Sequence, residues 1–94
     1  MQNESLVQKI GDQILHIRSL MEAQLPFFEG EVNRFITQQS RSTNDIEHIL
    51  DTLLDYRRMG LGKDLFIRLL EYYKTVDTEA AADYWRFFEE IDEE

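Results

Sequence analysis

The segment Gly-Leu-Gly-Lys at positions 60–63 has the residue types of a phosphate-binding loop. Glycines ahead of a helix leave backbone N–H groups free to bind an anion, and a lysine adds positive charge. The full P-loop pattern is absent, because Arg57 stands where its first glycine belongs and Asp64 follows the lysine. We interpret the segment as a helix stop and restart. Weak anion binding by Arg57, Arg58 and Lys63 is the alternative.

Two acid and histidine pairs have spacings at which helical side chains share one face. The first pair is Asp12 with His16, and the second is Asp45 with His48. Metal sites in helical bundles use paired Glu-x-x-His segments with further inward carboxylates, and the sequence contains no Glu-x-x-His. It also contains no cysteine, so thiolate ligands are excluded. We predict no metal site and no cofactor.

Nucleophilic catalysis has little support in the sequence. Ser40 and Ser42 lie in a polar segment without the strand, turn and helix pattern that exposes a catalytic serine. Two carboxylates brought together by packing could act as an acid and a base, and nineteen acidic residues make such a pair easy to propose. We predict that the protein is not an enzyme, with a carboxylate enzyme or metal protein as an alternative.

The arrangement of the acidic residues is more informative. Glu47, Asp51 and Asp55 follow one another at four-residue steps, on the helix face that we predict to lie opposite the apolar stripe. Like charges at this spacing cost a few tenths of a kcal/mol per pair. The row is either a solvated face or a docking surface for a basic partner, whose main benefit would be faster association.

Adjacent aromatic residues occur, for example, at 27–28, 72–73 and 87–88. Neighbours on a helix cannot both face the same core, so each pair leaves one large ring on a second surface. Core packing or a homodimer would bury these rings within copies of the chain. The other interpretation is an interface with a different protein, for which Tyr72 and Trp85 are the candidate anchors.

We therefore predict a small cytoplasmic interaction protein, such as an inhibitor, an immunity-type antidote, an adaptor or a chaperone. It would present Glu47, Asp51, Asp55, Tyr72 and Trp85 to a basic protein partner. Changing Asp51 and Asp55 to lysine should then abolish partner binding without lowering the melting temperature. The alternative is a nucleic-acid mimic that occupies a DNA-binding protein, which requires two rows of carboxylates on one face.

Charge and length set the limits of these interpretations. Nineteen acidic and ten basic residues give a formal net charge of −9, which opposes direct binding to nucleic acid or to anionic membranes. No run approaches the roughly 18 to 20 apolar residues of a membrane helix, so we predict no membrane partner. The 94 residues fit a single domain, 1–94.

Apolar residues recur at three- and four-residue steps along most of the chain, which predicts an all-α fold. Pro26 disfavours helical geometry at Leu25, so either a second helix starts at the proline or one long helix kinks there, and we favour the second helix. Asn44 and Glu47 resemble a capping box for the next helix. We predict a small antiparallel bundle of four to five helices, with an acidic tail at 89–94 that frays. The predicted helices cover 4–24, 26–39, 44–59, 63–76 and the residues after Asp77 or Thr78.

Overall fold

A computed structural model describes the backbone from Gln2 to Ile91, the exposure of Gly11 and the side chains of residues 13–91. This part of the chain contains four α-helices and no strand, so the predicted small all-α bundle is confirmed. None of its helices is both long enough and apolar enough to cross a membrane. The helices are α1 (Gln2–Thr37), α2 (Thr43–Arg58), α3 (Lys63–Tyr73) and α4 (Thr78–Glu90).

Helix α1 runs through Pro26 as one helix of 36 residues, so the predicted break is wrong. The apolar stripe of α1 keeps its phase across the proline: Ile14 and Val32 are 18 residues apart, which is five turns. A loop at Pro26 would lose this register. Pro26 is exposed, so the carbonyl that loses its helical hydrogen bond remains within reach of water.

Helix α1 ends in a left-handed turn at Gln39, whose φ is 51°. The N–H of Ser40 donates to the carbonyl of Phe35 at 2.9 Å, and the N–H of Gln39 donates to that of Ile36 at 3.2 Å. This is the Schellman arrangement, which satisfies the last carbonyls of a helix and usually has glycine at the left-handed position.

Helix α2 begins one residue before Asn44, and the predicted capping box is wrong. Ser42 is the N-cap, although its side chain makes no capping hydrogen bond. The carboxylate of Glu47 does not return to the helix start, because it accepts a hydrogen bond from the hydroxyl of Tyr73 on α3. A hydrogen bond between helices α2 and α3 therefore replaces the predicted capping hydrogen bond within α2.

The turn between α2 and α3 confirms that Gly60 and Gly62 stop one helix and start the next. Their φ angles are 73° and 74°, in the left-handed region that glycine adopts without strain. The N–H of Leu61 donates to the carbonyl of Tyr56 at 3.0 Å, and that of Gly60 donates to Arg57 at 2.9 Å. A side chain at Gly62 would lie 3.2 Å from Leu53 Cδ2.

Helix α3 ends at Tyr73, three residues before the predicted end at Val76. Asp77 caps α4 as predicted, since its Oδ1 accepts a hydrogen bond from the N–H of Ala80 at 3.0 Å. Glu89 and Glu90, which we predicted to fray, belong to α4. The rest of that acidic tail, residues 92–94, lies outside the described residues.

Helix α3 packs against each of the other three helices, and α2 also contacts both α1 and α4. Within the described residues α1 and α4 do not contact each other. Burying each large apolar side chain contributes about 1.5–3 kcal/mol to folding, so the side chains between the helices hold the bundle together. The most deeply buried are Val32, Phe35, Ile46, Leu50, Leu53, Phe66, Leu69 and Tyr73.

Candidate interaction surface

Two tyrosine side chains reach from the core to carboxylates on α2. Tyr84 Oη donates a hydrogen bond to Asp51 Oδ1 at 2.8 Å, and Tyr73 Oη donates to Glu47 Oε2. The two rings meet edge to face with centroids 6.4 Å apart. Glu47 and Asp51 therefore hold α3 and α4 against α2. We predicted both acids on the helix face opposite the apolar stripe, but each of them contacts a neighbouring helix through a tyrosine.

The environment of these tyrosines keeps their hydroxyls protonated. Burial raises the pKa of Tyr73 above its ordinary value of 10.0, and the hydrogen bond and negative charge of Glu47 raise it further. Burial and then Asp51 have the same effect on the pKa of Tyr84. A phenolate beside a carboxylate in a partly buried site would be repelled, so each hydroxyl acts as a hydrogen-bond donor.

Beside Tyr84 lies the exposed ring of Phe87, which the sequence identified only as one member of an aromatic pair. Its edge meets Tyr84 with centroids 5.8 Å apart, and 47% of the residue stays exposed. Asp83 and Glu90 are four residues before and three residues after it on α4, at spacings that place side chains side by side. Phe87 is thus an apolar ring among carboxylates.

We call this region the acidic-aromatic face. One member, Asp55, is exposed one turn beyond Asp51, and the described residues show no hydrogen bond to its side chain. Asp83 pairs with Arg86, but both side chains are largely exposed, so this ion pair contributes little to stability. The acidic-aromatic face consists of Asp51, Asp55, Asp83, Phe87 and Glu90.

Tyr72, a predicted anchor, is half-buried and attached to another part of the fold. Its hydroxyl donates to the backbone carbonyl of Ser40 at 2.5 Å, which joins α3 to the loop between α1 and α2. Tyr73, the other member of its pair, is fully buried. The hydroxyl of Tyr72 is therefore used within the protein and does not extend the acidic-aromatic face.

Trp85, the second predicted anchor, lies on the opposite side of α4 from Phe87, since residues two apart on a helix point in nearly opposite directions. It is 41% exposed and borders a groove of about 270 Å³ between α3 and α4. Its ring is stacked with that of Phe88, with centroids 5.5 Å apart. Trp85 is available to a partner, but on a surface separate from the α2 carboxylates.

The three residues of the predicted basic spot have different surroundings. The guanidinium of Arg57 lies 4.5 Å above the ring of Phe88 on α4. Lys63 instead lines a cleft against α1, together with the carboxylates of Glu29 and Asp64. A phosphate in that cleft would meet two negative charges. Arg58 is exposed and, with Arg57 and Lys63, stays a prediction of weak anion binding only.

The pair Asp45 and His48 lines a cleft between α1 and α2 that also contains Glu31. Glu31 is already bound to Arg34, whose Nη2 donates to it at 2.5 Å. Among the residues whose side chains are described, no three acids or histidines converge as metal ligands would. The side chain of Asp12, from the other predicted pair, lies outside that set.

Comparison with known proteins finds similarity over only part of the chain. No protein-family model matches it, and no solved structure matches it. The tRNA modification GTPases MnmE of Bordetella parapertussis and Bordetella bronchiseptica are each 39% identical to it over 56 residues. That segment is 58% of this chain but 12% of each GTPase. The chain therefore spans a small fraction of the curated relatives that it matches.

Proposed function

We propose that this protein is a small helical interaction module that binds a basic segment of a partner protein on its acidic-aromatic face. The observation that carries the proposal is the half-exposed ring of Phe87 against Tyr84, whose hydroxyl binds Asp51. Asp83 and Glu90 flank Phe87 at helical spacings of four and three residues. An arginine placed over such a ring gains a cation–π contact of about 0.5–2 kcal/mol. The surrounding carboxylates can accept its N–H groups in charge-assisted hydrogen bonds.

The charge of the whole chain supports the same kind of partner. A net charge of −9 attracts a basic protein and raises its rate of association, especially at low ionic strength. The role of inhibitor, antidote, adaptor or chaperone fits this surface equally well, because each requires only tight binding of a basic segment. A reducing compartment such as the cytoplasm suits a chain without cysteine.

The proposal is tested by capturing partners from the source cell with the full chain as bait and identifying them by mass spectrometry. The dissociation constant of a captured partner is then measured for Phe87→Ala, with Phe27→Ala as the matched control. Phe27 is also an exposed phenylalanine, at 58%, but it lies on α1, away from the acidic-aromatic face. We expect Phe87→Ala to weaken binding by about 2 kcal/mol, the scale of an interface hot spot, and Phe27→Ala to bind normally.

A second pair of variants tests the charge. Asp55→Lys reverses an acid of the acidic-aromatic face, whereas Asp45→Lys makes the same change on α2 beside the cleft with α1. Binding should be lost in the first variant and retained in the second. Equal binding by both, or equal effects of the two phenylalanine variants, would contradict the proposal.

A nucleic-acid mimic is the second candidate, favoured by the row Glu79, Asp83 and Glu90 along the exposed side of α4. With the acids of α2 this row places carboxylates on two helices that pack together. Arg86 interrupts the α4 row, and two of the α2 acids are held by tyrosines. If the captured partner binds DNA, competition between this protein and duplex DNA for that partner distinguishes mimicry from other interactions.

A further inference from the structure

Helix α1 exposes a row of large apolar side chains between residues 14 and 20. We call residues 11–20 the projecting segment, because every side chain described within it is exposed. Ile14 is 53% exposed, Ile17 is 52% exposed and Leu20 is 54% exposed. The Cα atoms extend over 56 Å along the longest axis but only 25 and 19 Å across it, as expected when α1 continues beyond the bundle.

The exposed row is the continuation of a face that is buried further along the same helix. Residues 18 apart lie at the same angle around an α-helix. Ile14 therefore corresponds to Val32, and Ile17 corresponds to Phe35. Val32 and Phe35 are 0% and 2% exposed where α1 packs on the bundle. The same apolar stripe is therefore packed against other helices at Val32 and Phe35 but is exposed in the projecting segment.

The spacing of these exposed side chains is typical of a helix face that packs against a second helix. Ile14, Ile17 and Met21 alternate steps of three and four residues, which is the a and d pattern of a helix pair. Met21 is half-buried at the edge of the bundle, so the seam leads directly into the packed part of α1. Isoleucine at these positions fills the holes between side chains of a facing helix.

We propose that a second copy of this chain covers the projecting segment, so that the protein is a dimer joined through α1. The distribution of charge selects this occupant. Residues 1–24 contain three acidic and two basic residues, a net charge of −1, whereas residues 25–94 contain sixteen and eight, a net charge of −8. A basic partner is attracted to the bundle, while two copies meet the least repulsion along this part of α1.

The same charges favour an antiparallel pair. Parallel helices would bring two bundles of net charge −8 side by side. Antiparallel helices with Ile14 opposite Ile17 of the second copy place the two Met21 residues about 16 Å apart along the axis, at about 1.5 Å per residue. This is about twice the Debye length of roughly 8 Å at physiological ionic strength, so repulsion between the bundles is largely screened.

Sedimentation of the full chain at micromolar concentrations tests the dimer. We expect the wild type to sediment at twice the 11.2 kDa of one chain. The double variant Ile14→Lys/Ile17→Lys should sediment as a monomer with unchanged near-ultraviolet circular dichroism, because the bundle core is intact. The matched control, His16→Lys/Ser19→Lys, adds two lysines with the same spacing on the opposite side of the helix and should remain a dimer.

Several results would overturn the proposal: a monomeric or trimeric wild type, a dimer that survives the isoleucine changes, or a dimer lost in the control. The orientation is tested with a spin label on Gln24→Cys, since the chain has no other cysteine and Gln24 is exposed three residues after Met21 on the same seam. Antiparallel copies place the two labels about 26 Å apart along the axis, whereas parallel copies place them side by side. A short distance between labels would overturn the antiparallel arrangement.

Discussion

The hydroxyl of Tyr84 donates to Asp51 Oδ1 at 2.8 Å, so an acid of the acidic-aromatic face also fastens α4 to α2. The side chain of Asp51 is exposed, although the tyrosine that donates to it is buried. Stability and the proposed partner binding therefore depend on the same residue. Changing Asp51 cannot test binding by itself, which is why Asp55 and Phe87 are the better probes.

Removal of this hydrogen bond should destabilise the fold. Asp51→Ala leaves the Tyr84 hydroxyl without its acceptor, and we expect a loss of about 1–2 kcal/mol in the free energy of unfolding by urea. Asp55→Ala is the control and should stay within about 0.5 kcal/mol of the wild type. The reversal of Asp51 to lysine should therefore lower the melting temperature, contrary to the expectation from sequence.

A double-mutant cycle assigns that loss to the pair. If the hydrogen bond causes it, Asp51→Ala should cost much less when Tyr84 is already phenylalanine, with a coupling of about 1 kcal/mol. Fully additive losses in the double variant would show that Asp51 stabilises the protein by other means.

The raised pKa values of Tyr73 and Tyr84 predict a loss of stability at alkaline pH. Below the unfolded value of 10.0 both states carry the protonated hydroxyls, so the contribution to stability is complete. Above it the unfolded chain releases these protons while the folded protein retains them, which favours unfolding. Each tyrosine should lower the free energy of unfolding by about 1.4 kcal/mol per pH unit in this range.

Urea unfolding at a series of pH values from neutral to alkaline measures this slope. Tyr73→Phe and Tyr84→Phe should each flatten it. The three lysines titrate in the same pH range, but they are present in every variant and so affect each slope equally. An identical alkaline slope in the wild type and both variants would contradict the assignment to these hydroxyls.

Gly30 lies in the part of α1 that packs on the bundle, and a Cβ there would meet nothing within 4 Å. We expect Gly30→Ala to raise the free energy of unfolding by about 0.5–1 kcal/mol, because glycine is a poor residue in the interior of a helix. Gly11→Ala, where a Cβ also meets nothing, should raise helix content but leave the urea midpoint of the bundle unchanged. A shift of equal size in both variants would contradict this division of α1.

Gly60 and Gly62 allow the backbone and packing effects in one turn to be separated. Both have a left-handed φ, so alanine at either position should cost about 1–2 kcal/mol. At Gly62 the new Cβ would also lie 3.2 Å from Leu53 Cδ2, whereas at Gly60 it meets nothing. Thermal unfolding should therefore show a larger loss for Gly62→Ala, and equal losses would exclude a contribution from Leu53.

Periodicity was sufficient to predict the helical fold, because a stripe of apolar side chains has few ways to be buried. Local signals were less reliable where tertiary contacts compete with them. Pro26 predicted a break, but the packing of Val32 and Phe35 depends on a continuous register through it. Glu47 had the spacing of a cap, but the buried hydroxyl of Tyr73 uses its carboxylate.

The candidate site was predicted only in part for the same reason. The row of acids was evident in the sequence. Which aromatic ring lies beside that row depends on the angle between α2 and α4, and this angle cannot be predicted from local sequence patterns. Phe87 could have been selected over Trp85 only by knowing that Tyr84 faces Asp51. The hydrogen bond from Tyr72 to the loop between α1 and α2 could not be predicted either, because its acceptor is a backbone carbonyl 32 residues away in sequence.

Trp85 is the single tryptophan of the chain. It lies on α4 and borders the groove with α3, so it is not part of the projecting segment of α1. Its fluorescence therefore reports on the bundle and not on the projecting segment. In a monomer the projecting segment has no helix packed against it and is only marginally stable in water, so it can melt while the tryptophan signal stays native. For the variant Ile14→Lys/Ile17→Lys, emission and helical dichroism should therefore trace different transitions, and one melting temperature will not describe it.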